Sequence, residues 1–171
     1  MQPYIIMTTS PQTSVESPAA DSPAAVDPLS MSGLDLLRAW MDDPNRDSRP
    51  SIGRLLGMTP KEIDEGSVTF AVTPQADFAN PLGTVHGGIC ATLLDSVMGC
   101  AVHTTLPAGV GYTTLELKIN YIRSVATDAG DLTATGTVIH VGGRTATAEG
   151  KVFSDDGKLV AHGTTTCIVF R

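Results

Sequence analysis

The sequence predicts an α+β domain in which an antiparallel sheet curls around one long helix. Three observations predict it. Residues 86–102 read HGGICATLLDSVMGCAV, an apolar run entered through two glycines. Its apolar residues, among them Cys90, Leu93, Leu94, Val97 and Met98, sit around most of the helix circumference, the pattern of a helix enclosed by other structure. Beyond the run the chain alternates apolar and polar residues over several long stretches, joined at Gly142-Gly143 and at Asp155-Asp156-Gly157-Lys158, both hairpin signals. One buried helix followed by a meander of strands implies a sheet wrapped around that helix.

Taken in order, residues 1–30 hold five prolines amid Ser, Thr and Ala with no apolar period, and read as a disordered tail. Residues 31–49 form a short docking helix and a linker. Helical spacing runs from Gly33 to Met41, stops at Asp43-Pro44, and offers Leu37, Trp40 and Met41 for docking. The folded domain covers residues 50–171. Residues 52–63 and 67–73 read as a first pair of strands turning at Glu65-Gly66, and 74–82 is a connection rich in turn formers. The long helix follows. After it, 113–123 alternates Leu115, Leu117, Ile119 and Tyr121 against Glu116, Lys118 and Asn120, and strands at 132–141, 144–154 and 159–170 complete the set.

Composition narrows the function. The 171 residues are enough for one domain with a real core, and the net charge of −7 argues against nucleic-acid binding, which needs a basic surface. The charge is uneven. Residues 1–65 hold five Lys/Arg against ten Asp/Glu, whereas 66–171 hold six against eight, so a few arginines in the larger part remain available for an anionic ligand. Cys90 and Cys100 are too far apart along one helix to bridge, which leaves no disulfide framework and points to a reducing compartment. With no targeting signal and no run of transmembrane length, the expectation is a cytoplasmic protein without a membrane partner.

The one charge in the apolar helix is Asp95. An unpaired carboxylate there costs several kcal/mol or has its pKa pushed upward, so keeping one requires a hydrogen-bond network or a chemical use. The segment from Asn80 through His86-Gly87-Gly88 to Leu94-Asp95, with Gly111 to Ser124 after it, resembles the hotdog-fold acyl-CoA thioesterases, especially the phenylacetate-pathway type. In that family the helix is the sausage and the antiparallel sheet the bun. The resemblance implies hydrolysis of an acyl-CoA to a carboxylate and free CoA, with no cofactor, CoA being part of the substrate.

It also implies roles. The Gly87 amide polarises the thioester carbonyl, as a helix N-terminus with unpaired N–H donors can. Asn80 contributes to placing substrate or water, and Asp95 acts as general base or as nucleophile. Thr114, or Thr113 beside it, supplies a hydroxyl next to the carboxylate; only one of them can face it, since alternate strand residues face opposite sides. Gly88, Arg123, Ser124, Val141, Gly142, Gly143, Arg144 and Thr145 match segments that hold the pantetheine arm and phosphates. His86 reads as an orienting residue, with proton transfer as the alternative. The other histidines show no paired ligand spacing, so no metal is expected.

Helix geometry adds a constraint. Asp95 lies nine residues beyond His86, about 13 Å along the axis. One carbonyl cannot touch both the helix start and the carboxylate. If both act on one thioester, the carboxylate comes from a second subunit across a two-fold axis, and the resemblance implies the same homodimer, with a dimer of dimers (homotetramer) as the larger assembly. Two alternatives remain at the sequence level: an acyl-CoA-binding hotdog protein that does not hydrolyse, and an enoyl-CoA hydratase, which wants an Asp and a His close together where the chain enters the helix.

Overall fold

The computed structural model describes residues 28–170, so most of the expected tail lies outside the described residues. Pro28–Ser30 forms a 3₁₀ turn. Helix α1, Gly33–Asp42, is capped by Ser32, whose Oγ accepts from Asp35 N at 3.2 Å. It packs against the core through Leu34, Leu37, Trp40 and Met41. Arg38 ties it to the first strand, donating to Ile63 O at 3.1 Å and to Asp64 at 2.9 Å.

The expected strand at 52–63 divides. Ile52–Leu56 is helix α2, because Ser51 Oγ accepts from Arg54 N at 3.1 Å and Gly57, in the left-handed region at φ 65°, closes the far end. Only Thr59–Asp64 is strand β1. It turns at Gly66, φ 76°, into β2, Ser67–Val72. The central helix α3 is Gly87–Thr104, followed by β3 (Gly111–Tyr121), β4 (Leu132–Val141), β5 (Thr145–Ser154) and β6 (Leu159–Phe170). All pairings are antiparallel and the order is β1-β2-β4-β5-β6-β3. The edges are therefore β1 and β3.

Large side chains come from the helix and small ones from the sheet. Leu93, Leu94, Val97 and Met98 are fully buried against Ala134, Ala146, Ala148 and Ala161. Beneath them Gly136, Gly150 and Gly163 stand in register across β4, β5 and β6. A β-carbon at Gly136 would come within 2.5 Å of the Val97 backbone, and one at Gly150 within 2.9 Å of Leu94 and Met98. The glycine row lets the helix sit directly on the strands.

Two features of the sequence reading change. The sheet does not enclose α3 completely: Gly88, Ala91, Thr92, Asp95 and Ser96 are only half-buried, so one stripe of the helix remains partly open in the single chain. The alternation in β3 is also broken. Its pairing to β6 shifts between Thr114 and Glu116, leaving Leu115 as a bulged residue that is 60% exposed. Buried Thr165 secures the bulge by donating to Glu116 O at 2.7 Å. Tyr112, Thr114, Leu117 and Ile119 consequently share the half-buried side.

Candidate active site

The loop entering α3 is stitched by Asn80. Its Nδ2 donates to Thr84 Oγ1 at 2.9 Å, and its Oδ1 accepts from the amides of Leu82 at 2.9 Å and Thr84 at 3.2 Å. The side chain is thus used within its own loop. The amides of Val85 and His86 then donate to Val125 O and Phe78 O at 2.9 and 2.8 Å, fixing the chain where the helix begins.

His86 is the N-cap. Its Nδ1 accepts from Gly88 N at 2.9 Å, and its carbonyl accepts from Ile89 N at 2.9 Å. Among the described residues the Gly87 N–H has no acceptor. The first turn thus leaves the Gly87 N–H uncommitted at the positive end of the helix. Tyr121, at the end of β3, lies over it: the phenol donates to Gly87 O at 3.0 Å.

Asp95 sits two turns further on. Thr114 Oγ1 donates to Asp95 Oδ1 at 2.8 Å, and Thr113 is exposed instead. The bulge explains the choice, because it keeps Thr114 on the same side as Leu117 and Ile119. The neighbouring ionisable groups stay neutral. Burial pushes the Cys100 thiol up to about 12, partly offset by a hydrogen bond with Tyr112 and reinforced by the charge of Asp95. Burial likewise raises Cys167, which also feels Thr165, Thr114 and Asp95, and it raises the Tyr112 phenol. A thiol held protonated is a poor nucleophile. Among the described residues no group of three or more His, Cys, Asp or Glu is arranged to hold a metal ion.

The CoA-contact candidates fall into two places. Arg123 Nη1 donates to Leu159 O at 2.8 Å. With Ser124, Asp155, Asp156 and Lys158 it lines a cleft of about 290 Å³. Lys158 pairs with Asp156 at 2.6 Å, and that contact, with the Ser154 hydroxyl, holds the Asp156 carboxyl down to about 2. Val141, Gly142, Gly143, Arg144 and Thr145 occupy the other end of the sheet, where Gly142 N donates to Thr145 O at 2.8 Å. The ten residues of β5 separate the two ends by about 30 Å. One chain therefore does not bring Arg123 to Arg144, nor Gly87 to Asp95. Sequence reasoning missed Tyr121 over Gly87, and also Tyr112 and Cys100 beside Asp95, because strand register and the bulge decide those contacts.

This arrangement, a six-stranded antiparallel sheet seated on one helix that starts at His-Gly-Gly, defines a hotdog fold. The chain belongs to the thioesterase superfamily, whose sequence profile matches residues 82–161. A provisionally named esterase of Halobacterium salinarum is 31% identical over 119 residues, 67% of this chain and 73% of that protein. A phenylacetic acid degradation-related protein of Ralstonia eutropha, provisionally named a thioesterase, is 30% identical, with a TM-score of 0.65 over 75% of this chain and 98% of its own. The PaaI protein from the phenylacetic acid degradation operon of Escherichia coli shares the fold at 24% identity, with a TM-score of 0.68 over 79% of this chain and 95% of its own. No described helix is long and apolar enough to cross a membrane.

Proposed function

We propose that the protein hydrolyses acyl-CoA thioesters at two clefts shared between the subunits of a homodimer. One observation carries the reading: a single helix holds an uncommitted N–H at Gly87 and a Thr114-anchored carboxylate at Asp95, eight residues and about 12 Å apart. The Gly87 N–H of one subunit polarises the thioester carbonyl. Asp95 of the partner subunit either deprotonates water or attacks the carbonyl to form an anhydride that water then opens. Asn80 holds the loop that aims the helix start, and His86 acts as cap and orienter.

The half-open stripe of α3 and the β3 edge, with Leu115 and Tyr121 exposed, support a second copy packing there. A two-fold axis across them also reconciles the separated CoA candidates. Gly87 lies against Tyr121, near Arg123, while Asp95 lies against Thr114, whose neighbour Thr113 is linked through Ile168 to Thr145. Bringing Gly87 of one subunit to Asp95 of the other therefore brings the Arg123 end of one sheet to the Arg144 hairpin of the other. Arginine forks and glycine amides suit phosphate oxygens there.

The test is thiol release from aromatic, short, medium and long acyl-CoAs by the wild type and Asp95→Asn. The near-isosteric variant keeps the fold and loses at least about 10²-fold in turnover. Near-normal turnover in Asp95→Asn, or acyl-CoA binding without release, rejects the reading.

A further inference from the structure

The peptide group between Gly87 and Gly88 is held at both of its polar atoms by side chains. Its oxygen accepts from the Tyr121 hydroxyl at 3.0 Å, and its N–H donates to His86 Nδ1 at 2.9 Å. One of these side chains comes from the end of β3 and the other from the loop before α3. Neither glycine has a β-carbon to restrict its own backbone. The Gly87 N–H lies in the preceding peptide group, whose His86 oxygen accepts from Ile89 N at 2.9 Å. With both peptide planes held, the φ and ψ of Gly87, and with them the N–H direction, are fixed by these partners rather than by a side chain of its own.

The Tyr121 ring also closes over the spot: a β-carbon at Gly87 would meet two of its ring carbons at 3.1 Å. Gly87 is thus the residue type that admits both the ring and a carbonyl approaching the amide. Tyr121 itself is 55% exposed, so its hydroxyl fills no hole in the core. Burial of the phenol, with Cys90 nearby, raises its pKa and keeps it a neutral donor in the neutral range.

We propose that Tyr121 is a positioning residue for the oxyanion donor, its hydroxyl acting with His86 Nδ1 to clamp the Gly87–Gly88 peptide and so fix the φ and ψ of Gly87, which aim the N–H of the preceding peptide at the carbonyl oxygen. The proposal rests on the thioesterase reading of the site. Negative charge reaches that oxygen only as the tetrahedral species forms, so a loosened donor lowers kcat and leaves substrate binding alone.

Tyr121→Phe keeps the ring and removes the hydroxyl. It is expected to lower kcat about fivefold to tenfold, the worth of one hydrogen bond, with KM essentially unchanged. Amide hydrogen exchange supplies a readout independent of turnover: the Gly88 amide exchanges faster in Tyr121→Phe, while exchange within α3 and along the β3 and β6 ladder stays as in the wild type. A loss confined to KM, an unchanged kcat, or faster exchange throughout the domain overturns the assignment. Wild type and Asp95→Asn assayed alongside separate the two levels. A working wild type, an inactive Asp95→Asn and an unaffected Tyr121→Phe defeat the Tyr121 assignment alone. A wild type without turnover defeats the thioesterase reading, and unchanged Gly88 exchange then still defeats the clamp.

Discussion

Replacing Thr114 by Val removes the hydroxyl that donates to Asp95 and that also faces the Cys167 thiol. The Thr114 hydroxyl donates to Asp95 Oδ1 at 2.8 Å, and Val matches Thr in shape, so packing is retained. A hydrogen bond to a charged group contributes about 1.5–3 kcal/mol. Asp95 is half-buried, and water can replace part of the lost bond, which places the loss near the lower end, about 1.5 kcal/mol or roughly tenfold in kcat. Thr113 is exposed, and Thr113→Val should change turnover by less than about twofold. The assay is steady-state thiol release from one acyl-CoA by all three proteins, with thermal melts to confirm equal folding. An unchanged kcat in Thr114→Val, or a larger loss in Thr113→Val, would refute both the role of the hydroxyl and the bulge that aims it.

Two further outcomes follow from the geometry. Gly136→Ala sets a β-carbon 2.5 Å from the Val97 backbone and should destabilise the domain by about 1–3 kcal/mol or more, whereas Gly143→Ala, with nothing within 4 Å, should leave the melting temperature unchanged. Arg123→Ala and Arg144→Ala should each raise KM for acyl-CoA and spare an acyl-pantetheine thioester that lacks the nucleotide; equal effects on the two substrates would remove the phosphate contact.

The hairpins at 142–143 and 155–158 and the extent of the central helix were legible because turn residues and helical period are local signals. Asp95 and the helix start were legible for the same reason, since spacing along one helix converts directly to distance. Residues 52–56 misled because a short apolar run fits strand or helix; the Ser51 cap and the Gly57 stop decide it. The bulge at Leu115 left no mark, since the run from Leu115 to Tyr121 alternates without interruption. The glycine row is three residues distant in sequence, united only by strand register. Register likewise separates Arg123 from Arg144 and lays Tyr121 over Gly87, and no local pattern encodes it.

The shared cleft is tested most directly by mixing two defective subunits. Asp95→Asn removes the carboxylate. Gly87→Pro removes the N–H at the first helical position, where the backbone accepts proline and the preceding His86 already has ψ 134°; its ring also displaces the exposed Tyr121 ring, 3.1 Å from a β-carbon at this position, so both lesions fall at the helix start. In a heterodimer one cleft pairs the intact Gly87 of the first chain with the intact Asp95 of the second, and the other cleft collects both lesions. Random exchange at equal amounts makes about half the dimers mixed, so about a quarter of wild-type thiol release should return once exchange is verified by mass. If mixed dimers form and turnover stays at the level of the separate variants, the two groups do not act across the subunit boundary.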